Sequence, residues 1–396
     1  MGKTRLLCVC LAFLCLNTYS TPGSGSPQIE RHPPASVWDR GVLGSLPTHD
    51  PDSADPLEGD LRGYDLWGLD LRGSLADLLG ASYDSQTTWP PPDRLPSGFD
   101  PVRIMELGKN PGLGVRQLHA QGITGHGIGI AIVDAPLLVE HQEYAGRLRL
   151  YEETEEMGWR YARMHGVAVS SFAVGETVGV APEAALYFIA TTVDMRGDFS
   201  YLAAAIRRIL EVNEALPPYG RIRAIAVAVG WNPDSLGYDE IRVAAAEARE
   251  AGLLVVSSSI GEVHGFNFDG LGRHPLADPD AFESYEPGWW WAKSFYAGER
   301  SSDRLLVPMD SRTAASPTGS TDYAFFRQGG WSWAIPYLAG MYALAAQVDP
   351  AITPESFWAL AMETARTIEV NHEGQVIPLG PILDPAALIQ ALQEGR

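Results

Sequence analysis

Four near-continuous apolar segments, separated by longer amphipathic stretches, constrain the fold of this chain more than any other feature of its sequence. They are "GIGIAIV" at residues 127–133, "ALYFIAT" at 185–191, "AIAVAV" at 224–229 and "LLVVS" at 253–257. Short apolar runs of this kind are typical of strands buried on both faces of a parallel sheet. The stretches that begin at Tyr201 and Tyr238 carry helix formers at an apolar period, and the second ends at Gly252. The alternation predicts an α/β fold: a three-layer, doubly wound, mostly parallel sheet with helices on both faces.

Two further helices are predicted near the C-terminus from the residues that would start them. Thr353 precedes Pro354, and Asp384 precedes Pro385. A side-chain oxygen at such a position accepts a backbone N–H of the first turn, and proline is favoured next because its missing N–H would have no partner there. Helices are therefore expected to begin at Pro354 and Pro385.

The first twenty residues have the layout of a secretory signal peptide. Lys3 and Arg5 precede an apolar run at residues 6–16, which is too short to span a bilayer, and a polar end follows. A buried N-terminal helix is the alternative interpretation. All three cysteines, at positions 8, 10 and 15, fall inside this segment, so a processed chain would contain none. We therefore expect a secreted or extracytoplasmic protein without cysteine catalysis, thiolate metal sites or disulfides.

The net charge narrows the choice of partners. The formal charge is −20, and removal of Lys3 and Arg5 would change it to −22. Such a chain is repelled by phosphate backbones and by anionic lipid surfaces, so no nucleic-acid partner is expected. No segment after the first twenty residues approaches the length of a membrane-spanning helix, so no membrane span is expected either.

Residues 21–104 form a Pro/Gly-rich N-terminal extension ahead of the region that carries the α/β pattern, residues 105–396. Residues 21–58 are rich in Pro, Gly, Ser and Asp and are interpreted as a flexible lead. A five-residue repeat then occurs three times, as "DLRGY", "DLWGL" and "DLRGS" from Asp60 to Ser74. Because three units are marginal for a solenoid, the repeat is as readily a leucine-bearing segment that docks on the main domain. The extension is a propeptide or a docking arm.

Three polar residues follow the order of a catalytic acid, base and nucleophile. Asp134 ends the first apolar segment, at the sheet edge where functional groups collect in doubly wound folds. His165 opens the small-residue stretch "HGVAVSSFAVG", and Ser332 lies in "GGWSWAIPYLAG", behind a glycine pair and at the start of an apolar helix. Taken singly, the aspartate could be a helix cap and the histidine a core residue. Together they predict that Asp134 orients His165, which takes the proton of Ser332.

The order and the flanks of these residues resemble the subtilisin-like serine peptidases. The segments "GIGIAIVDAPLLVEHQEY", "HGVAV" and "GVAPEAALYFIA" are similar to the family's aspartate strand, histidine helix and following strand, and "GGWSWAIPYLAG" is similar to its serine segment. The resemblance covers about residues 105–396. It implies an exported serine endopeptidase that hydrolyses a peptide or protein substrate through Asp134, His165 and Ser332. It also implies that Ala228, Val229 and Gly230 edge the substrate cleft, whose walls Trp331 and Trp333 are expected to form.

One departure from the family concerns the oxyanion hole. After the strand "LLVVSSS", the family places an asparagine that donates to the developing oxyanion, whereas this chain has Gly261. Asn267 follows six residues later and is a weak candidate for the missing donor. Loss of one such donor typically lowers a rate by about 10² to 10³. A catalytically weak or inactive subtilisin-like binding or scaffold protein is therefore the alternative function.

Other functional classes fit the sequence less well. Ser332, Asp349 and His372 follow the chain order of an α/β-hydrolase triad, but only 64 residues follow the serine, too few for the rest of that fold. The histidines show no metal-binding spacing and the acidic segments no EF-hand pattern, so no cofactor is expected; calcium is conceivable but unsupported. The run "EPGWWWAKSF" from Glu286 can be interpreted as a sugar-binding surface or as a loop packed over the cleft.

Overall fold

The chain is described here from a computed structural model, which covers residues 27–48, 59–154, 159–191, 197–299 and 302–395. The expected signal peptide, residues 1–20, lies outside the described residues. The strands are β1 Gln28–Ile29, β2 Gly41–Val42, β3 Tyr64–Asp65, β4 Tyr83–Asp84, β5 Gly129–Asp134, β6 Leu148–Glu153, β7 Ala185–Ala190, β8 Ile222–Val227, β9 Leu254–Ser257, β10 Asn267–Arg273, β11 Tyr285–Pro287, β12 Arg304–Pro308, β13 Arg312–Ala315, β14 Tyr323–Phe326, β15 Arg366–His372 and β16 Gln375–Ile382. The helices are α1 Leu75–Leu79, α2 Pro101–Lys109, α3 Val115–Ala120, α4 Met164–Val174, α5 Ser200–Ala215, α6 Tyr238–Glu250, α7 Ile260–His264, α8 Ala292–Tyr296, α9 Trp331–Val348, α10 Pro354–Glu363 and α11 Pro385–Gln393.

The central sheet is parallel throughout and has the strand order β1-β6-β7-β5-β8-β9. Its strands β5, β7, β8 and β9 overlap the four apolar segments of the sequence. Successive residues of β5 belong to two different hydrophobic cores. Ile130 and Ile132 pack with α4 and α9. Ala131 and Val133 pack with α5 and α6. Both faces of the sheet are therefore covered by helices, which confirms the α/β fold with a parallel central sheet.

The two C-terminal helices begin where their sequences predict. The Thr353 hydroxyl accepts the backbone N–H of Ser356 at 3.2 Å, and the Ser356 hydroxyl accepts the N–H of Thr353 in return. At the start of α11, a carboxylate oxygen of Asp384 accepts the N–H of Ala387 at 3.1 Å. Both starts thus have a local hydrogen bond of the kind that the sequence predicts, and Asp384 also pairs with Arg366 at 2.7 Å.

Smaller sheets surround the C-terminal half of the chain. One has the mixed order β11-β10-β12-β16-β15, in which the hairpin β15–β16 is antiparallel and β12 joins β10 and β16 in parallel. Another has the antiparallel order β13-β14-β4, so a strand of the N-terminal extension pairs directly with the main domain. The edge strand β1 likewise comes from residues 21–58, where the composition indicated a flexible lead. Two-residue strands carry no periodicity, so they are invisible in the sequence.

The five-residue repeat forms three similar turns. In each, the aspartate side chain accepts the backbone N–H of the residue two positions later. Asp60 accepts from Arg62, and Asp65 and Asp70 accept in the same way from the residues at positions 67 and 72. This local bond turns the chain and places each following leucine inward. Leu61, Leu66 and Leu71 are 0%, 0% and 3% exposed, in a core with Phe325 of β14. The helix α2 continues the chain across the expected boundary at residues 104 and 105.

Candidate active site

Asp134 is the last residue of β5, a central strand between β7 and β8. It therefore lies at the carboxyl edge of the sheet, where parallel strands of this fold class present functional groups. Its side chain is 5% exposed. The next backbone N–H, that of Ala135, donates to Oδ1 at 2.7 Å and holds the carboxylate in place.

His165 is the second residue of α4, and a glycine brings it against the aspartate. A Cβ on Gly166 would lie 1.9 Å from the carbonyl oxygen of Ala135, so only glycine lets α4 begin against the loop that follows β5. As a result, His165 Nδ1 lies 2.8 and 2.9 Å from the two carboxylate oxygens of Asp134. Because an ionised carboxylate only accepts hydrogen bonds, Nδ1 carries the proton and Nε2 is the basic nitrogen. The imidazole side chain is 40% exposed, which leaves it accessible to a substrate.

Ser332 is the second residue of α9, behind a pair of glycines of which the first, Gly329, packs tightly. A Cβ on Gly329 would lie 2.4 Å from the carbonyl oxygen of Met309, which explains the first glycine of the pair. The Ser332 hydroxyl donates to the carbonyl oxygen of Ala228 at 3.0 Å. Pro336 is the sixth residue of α9. Its missing N–H therefore removes the helical bond that the Ser332 carbonyl would otherwise receive.

A buried carboxylate supports the turn before the serine. Asp310 accepts the backbone N–H of Gly329 at 2.7 Å and that of Trp289 at 2.8 Å. Burial raises the pKa of Asp310 to about 6 although both N–H groups favour its charged form. Asp310 thus ties the glycine turn to the tryptophan loop. Sequence reasoning missed it, although Asp310 lies two residues beyond the apolar strand β12, a position similar to that of Asp134 at the end of β5.

The three predicted catalytic residues line one cavity of about 380 Å³. Ala228, Val229 and Trp331 also line it, as does Trp290 of the run "EPGWWWAKSF". Its lining further includes Trp159, Thr191 and Ser258, to which the sequence assigned no role. Ser258 follows β9 directly, and its position in "SSS" gave no signal of its own because three serines in a row are interchangeable in a pattern.

The remaining cleft candidates lie close to this cavity. A Cβ on Gly230 would lie 3.1 Å from that of Ser258, so Gly230 faces the strand end at β9. Trp333 is 7% exposed and lies in the core, with its ring centroid 5.6 Å from that of His165. It also packs against Phe172, at 5.3 Å between centroids. The indole therefore supports the imidazole from the protein interior.

The oxyanion candidate Asn267 and the position of the missing asparagine, Gly261, do not line the triad cavity. Gly261 belongs to the short helix α7, and Asn267 begins β10; both line a neighbouring cavity of about 300 Å³. The side-chain amide of Asn267 donates to Asp303 at 3.2 Å. Ser258 and Trp331 line both cavities, so they mark the point where the two adjoin.

The described residues contain neither a candidate metal site nor a candidate membrane span. Among them, no group of three or more His, Cys, Asp or Glu side chains is arranged to hold a metal ion. Nor does any helix in the described ranges combine the length and the apolar character that crossing a membrane requires.

Comparison with solved structures identifies the fold of this chain. No family model matches the sequence, and no curated protein sequence matches it. The structure of the prenylagaramide maturation protease PagA matches with a TM-score of 0.50 at 15% identity, over 70% of this chain and 98% of that chain. Two structures of the PatG macrocyclase, one of them in complex with peptide, have TM-scores of 0.48 at 16% identity, each over 72% of this chain and over 95% and 96% of theirs. The similarity to PagA confirms at the level of the fold that the chain has the subtilisin-like α/β architecture.

Proposed function

We propose that this chain is an exported serine endopeptidase that hydrolyses peptide bonds through Asp134, His165 and Ser332. One observation carries the proposal: His165 Nδ1 contacts both carboxylate oxygens of Asp134, and Ser332 shares their cavity at the start of α9. This arrangement supports the proposal because it puts an oriented base and a serine hydroxyl on the lining of one cavity, and nucleophilic catalysis by serine requires both.

The proposed reaction begins with a rotation of the Ser332 hydroxyl away from Ala228, toward Nε2 of His165. The hydroxyl oxygen attacks the substrate carbonyl carbon while Nε2 takes its proton, and the buried Asp134 stabilises the imidazolium that forms. His165 then gives this proton to the leaving amine as the C–N bond breaks, which leaves an acyl ester on Ser332. A water molecule, deprotonated by Nε2, hydrolyses the ester and restores the serine.

The developing oxyanion has two proposed donors in this chain. The first is the backbone N–H of Ser332, in the first turn of α9, where the helix dipole also favours negative charge. The second is the Ser258 hydroxyl, because Ser258 lines the triad cavity and follows β9, the strand that precedes Gly261. Asn267 stays the alternative donor; to act, its amide would have to leave Asp303.

The test is covalent labelling of the full chain with a fluorophosphonate probe, followed by intact-protein mass spectrometry. The wild type should gain one adduct, and Ser332→Ala should gain none while its melting temperature changes by only a few degrees. Ser200→Ala is a matched control, since Ser200 also lies in the first turn of a helix. Labelling that persists in Ser332→Ala would refute the assignment of the nucleophile.

A non-catalytic binding protein of the same fold is the second candidate. It is favoured by the bond from Ser332 to Ala228, which directs the hydroxyl proton to a carbonyl oxygen, and by Gly261 at the position of the expected asparagine. The same experiment separates the two functions. An unlabelled wild type with a native melting transition would support the binding protein.

Export is part of the proposal and rests on the sequence of residues 1–20. Lys3 and Arg5 before the apolar run predict cleavage near residue 20. N-terminal sequencing of the protein recovered outside the producing cell would test this. Recovery of an uncleaved chain from the cytoplasm alone would contradict it.

A further inference from the structure

A further cavity adjoins the triad cavity and is not used by the proposed chemistry. Its volume is about 700 Å³, within the range of ligand-binding pockets. The two cavities share Trp290 and Trp331, whose ring centroids are 5.9 Å apart. The larger cavity extends from this pair toward the sheet that contains β12 and β16. We call it the tryptophan pocket; its apolar lining includes Trp290, Trp291, Phe295, Leu306, Trp331 and Leu379.

The indole N–H groups of the tryptophan pocket are all used within the protein. Trp290 Nε1 donates to the carbonyl oxygen of Gly329 at 2.7 Å, and Trp291 Nε1 donates to that of Gly270 at 2.6 Å. Trp331 Nε1 donates to Oδ1 of Asp269 at 3.0 Å. At the three tryptophans, an occupant therefore meets ring carbon atoms and not indole N–H donors. The same bonds fix the orientation of each ring, so the pocket is preformed.

The charges in the pocket are largely paired with one another. Arg304 donates to Oδ2 of Asp269 at 2.9 Å, so the two oxygens of this carboxylate serve Arg304 and Trp331. The Asp269 side chain is 5% exposed. An acidic occupant would have to compete with Asp269 for the guanidinium. Glu299 also lines the pocket and adds a negative charge. A basic side chain is therefore the alternative occupant to an apolar one.

We propose that the tryptophan pocket holds a large apolar side chain, aromatic or branched aliphatic, of a peptide whose backbone lies across Ser332. The shared pair Trp290 and Trp331 makes the pocket continuous with the triad cavity, so one peptide can occupy both. This inference rests on the proposed function in that the ligand of the triad cavity is a peptide. Burial of a Phe or Leu side chain should raise the affinity by a factor of roughly ten to a hundred over Ala.

The experiment measures binding and therefore does not require turnover. Full-length Ser332→Ala is immobilised and incubated with a pool of random ten-residue peptides, and the retained peptides are sequenced by mass spectrometry. Retained peptides should be enriched in Trp, Phe or Leu over Ala at one position by about tenfold or more. Enrichment in Lys or Arg, an absence of enrichment, or no retention would overturn the proposal.

Two variants made on the Ser332→Ala background locate the binding. Thr367 is an exposed residue of β15 on the rim of the pocket, so Thr367→Trp should fill the pocket and abolish the apolar enrichment. Glu369→Trp adds the same indole two residues along the same strand, outside the pocket lining, and should leave the enrichment unchanged. If Thr367→Trp fails to fold, Ser294→Trp fills the pocket from α8 instead. Enrichment that survives in a folded pocket-filling variant would overturn the proposal.

Failure of this inference is distinguishable from failure of the proposed function. If fluorophosphonate labels the wild type but Ser332→Ala shows no apolar enrichment, the proposed peptidase function stands and the proposed role of the tryptophan pocket is refuted. An unlabelled wild type beside a Ser332→Ala protein with clear enrichment would refute the catalytic function and retain the pocket.

Discussion

His264 should make the stability of the folded chain depend on pH in the acidic range. It is the last residue of α7 and 9% exposed, and its ring stacks on Phe266 with centroids 5.2 Å apart. Its Nε2 accepts the backbone N–H of Val255 at 3.2 Å, which requires this nitrogen to be unprotonated. Burial lowers the pKa of His264 to about 4, from the usual value of 6.5. The native state therefore holds a neutral imidazole, and protonation opposes folding.

The direction and size of the effect follow from proton linkage. Between pH 4 and 6.5 the unfolded chain binds more protons at this site than the folded chain, so the free energy of unfolding rises with pH in this window. The contribution is fully present above about pH 6.5 and is lost as the pH falls toward 4. The difference between the two pKa values lowers the free energy of unfolding by about 2 kcal/mol at pH 5, and by about 3 kcal/mol once the site is protonated in both states.

The assay is urea unfolding of the full chain at pH 7.5 and pH 5, compared with His264→Gln. Glutamine does not titrate, and its side-chain oxygen can still accept the Val255 N–H. Between pH 7.5 and pH 5, the free energy of unfolding of the wild type should fall by about 2 kcal/mol more than that of His264→Gln. The other histidines are present in both proteins, so their contributions cancel. His126→Gln, at a side chain that is 57% exposed, controls for the loss of an imidazole. Equal losses in wild type and His264→Gln would refute the reasoning.

Four further substitutions test the site and its support. Asp134→Asn should lower kcat on a peptide ester by about 10⁴ because an amide cannot stabilise the imidazolium, and a value near that of the wild type would exclude the acid–base pair. Ser258→Ala should lower kcat by about 10² to 10³ with little change in KM, whereas Asn267→Ala should be nearly neutral; the reverse result would assign the oxyanion donor to Asn267. Leu66→Ala, at a fully buried site, should cost about 2 to 5 kcal/mol of unfolding free energy in urea, and a cost below about 1 kcal/mol would show that the repeat is not part of the core.

The sequence alone determined the central architecture because that architecture depends on local pattern. Strands buried on both faces, such as β5, are apolar along nearly their whole length, and helices such as α10 and α11 carry their own starting residues. The order of Asp134, His165 and Ser332 was equally readable, since each follows or begins an element with a strong pattern. These features need no knowledge of distant parts of the chain.

Only the tertiary structure decided how distant segments complete the site. The bonds from Asp310 to Gly329 and Trp289 and the placement of Ser258 join residues far apart in sequence. The same holds for β1 and β4, each two residues long, which obtain their hydrogen-bond partners from β6 and β14. The tryptophan pocket exists because α8, β12 and β16 meet around rings whose N–H groups bond inward. Such contacts leave no periodic trace in a sequence, because the partner of each group is chosen by packing and not by its neighbours along the chain.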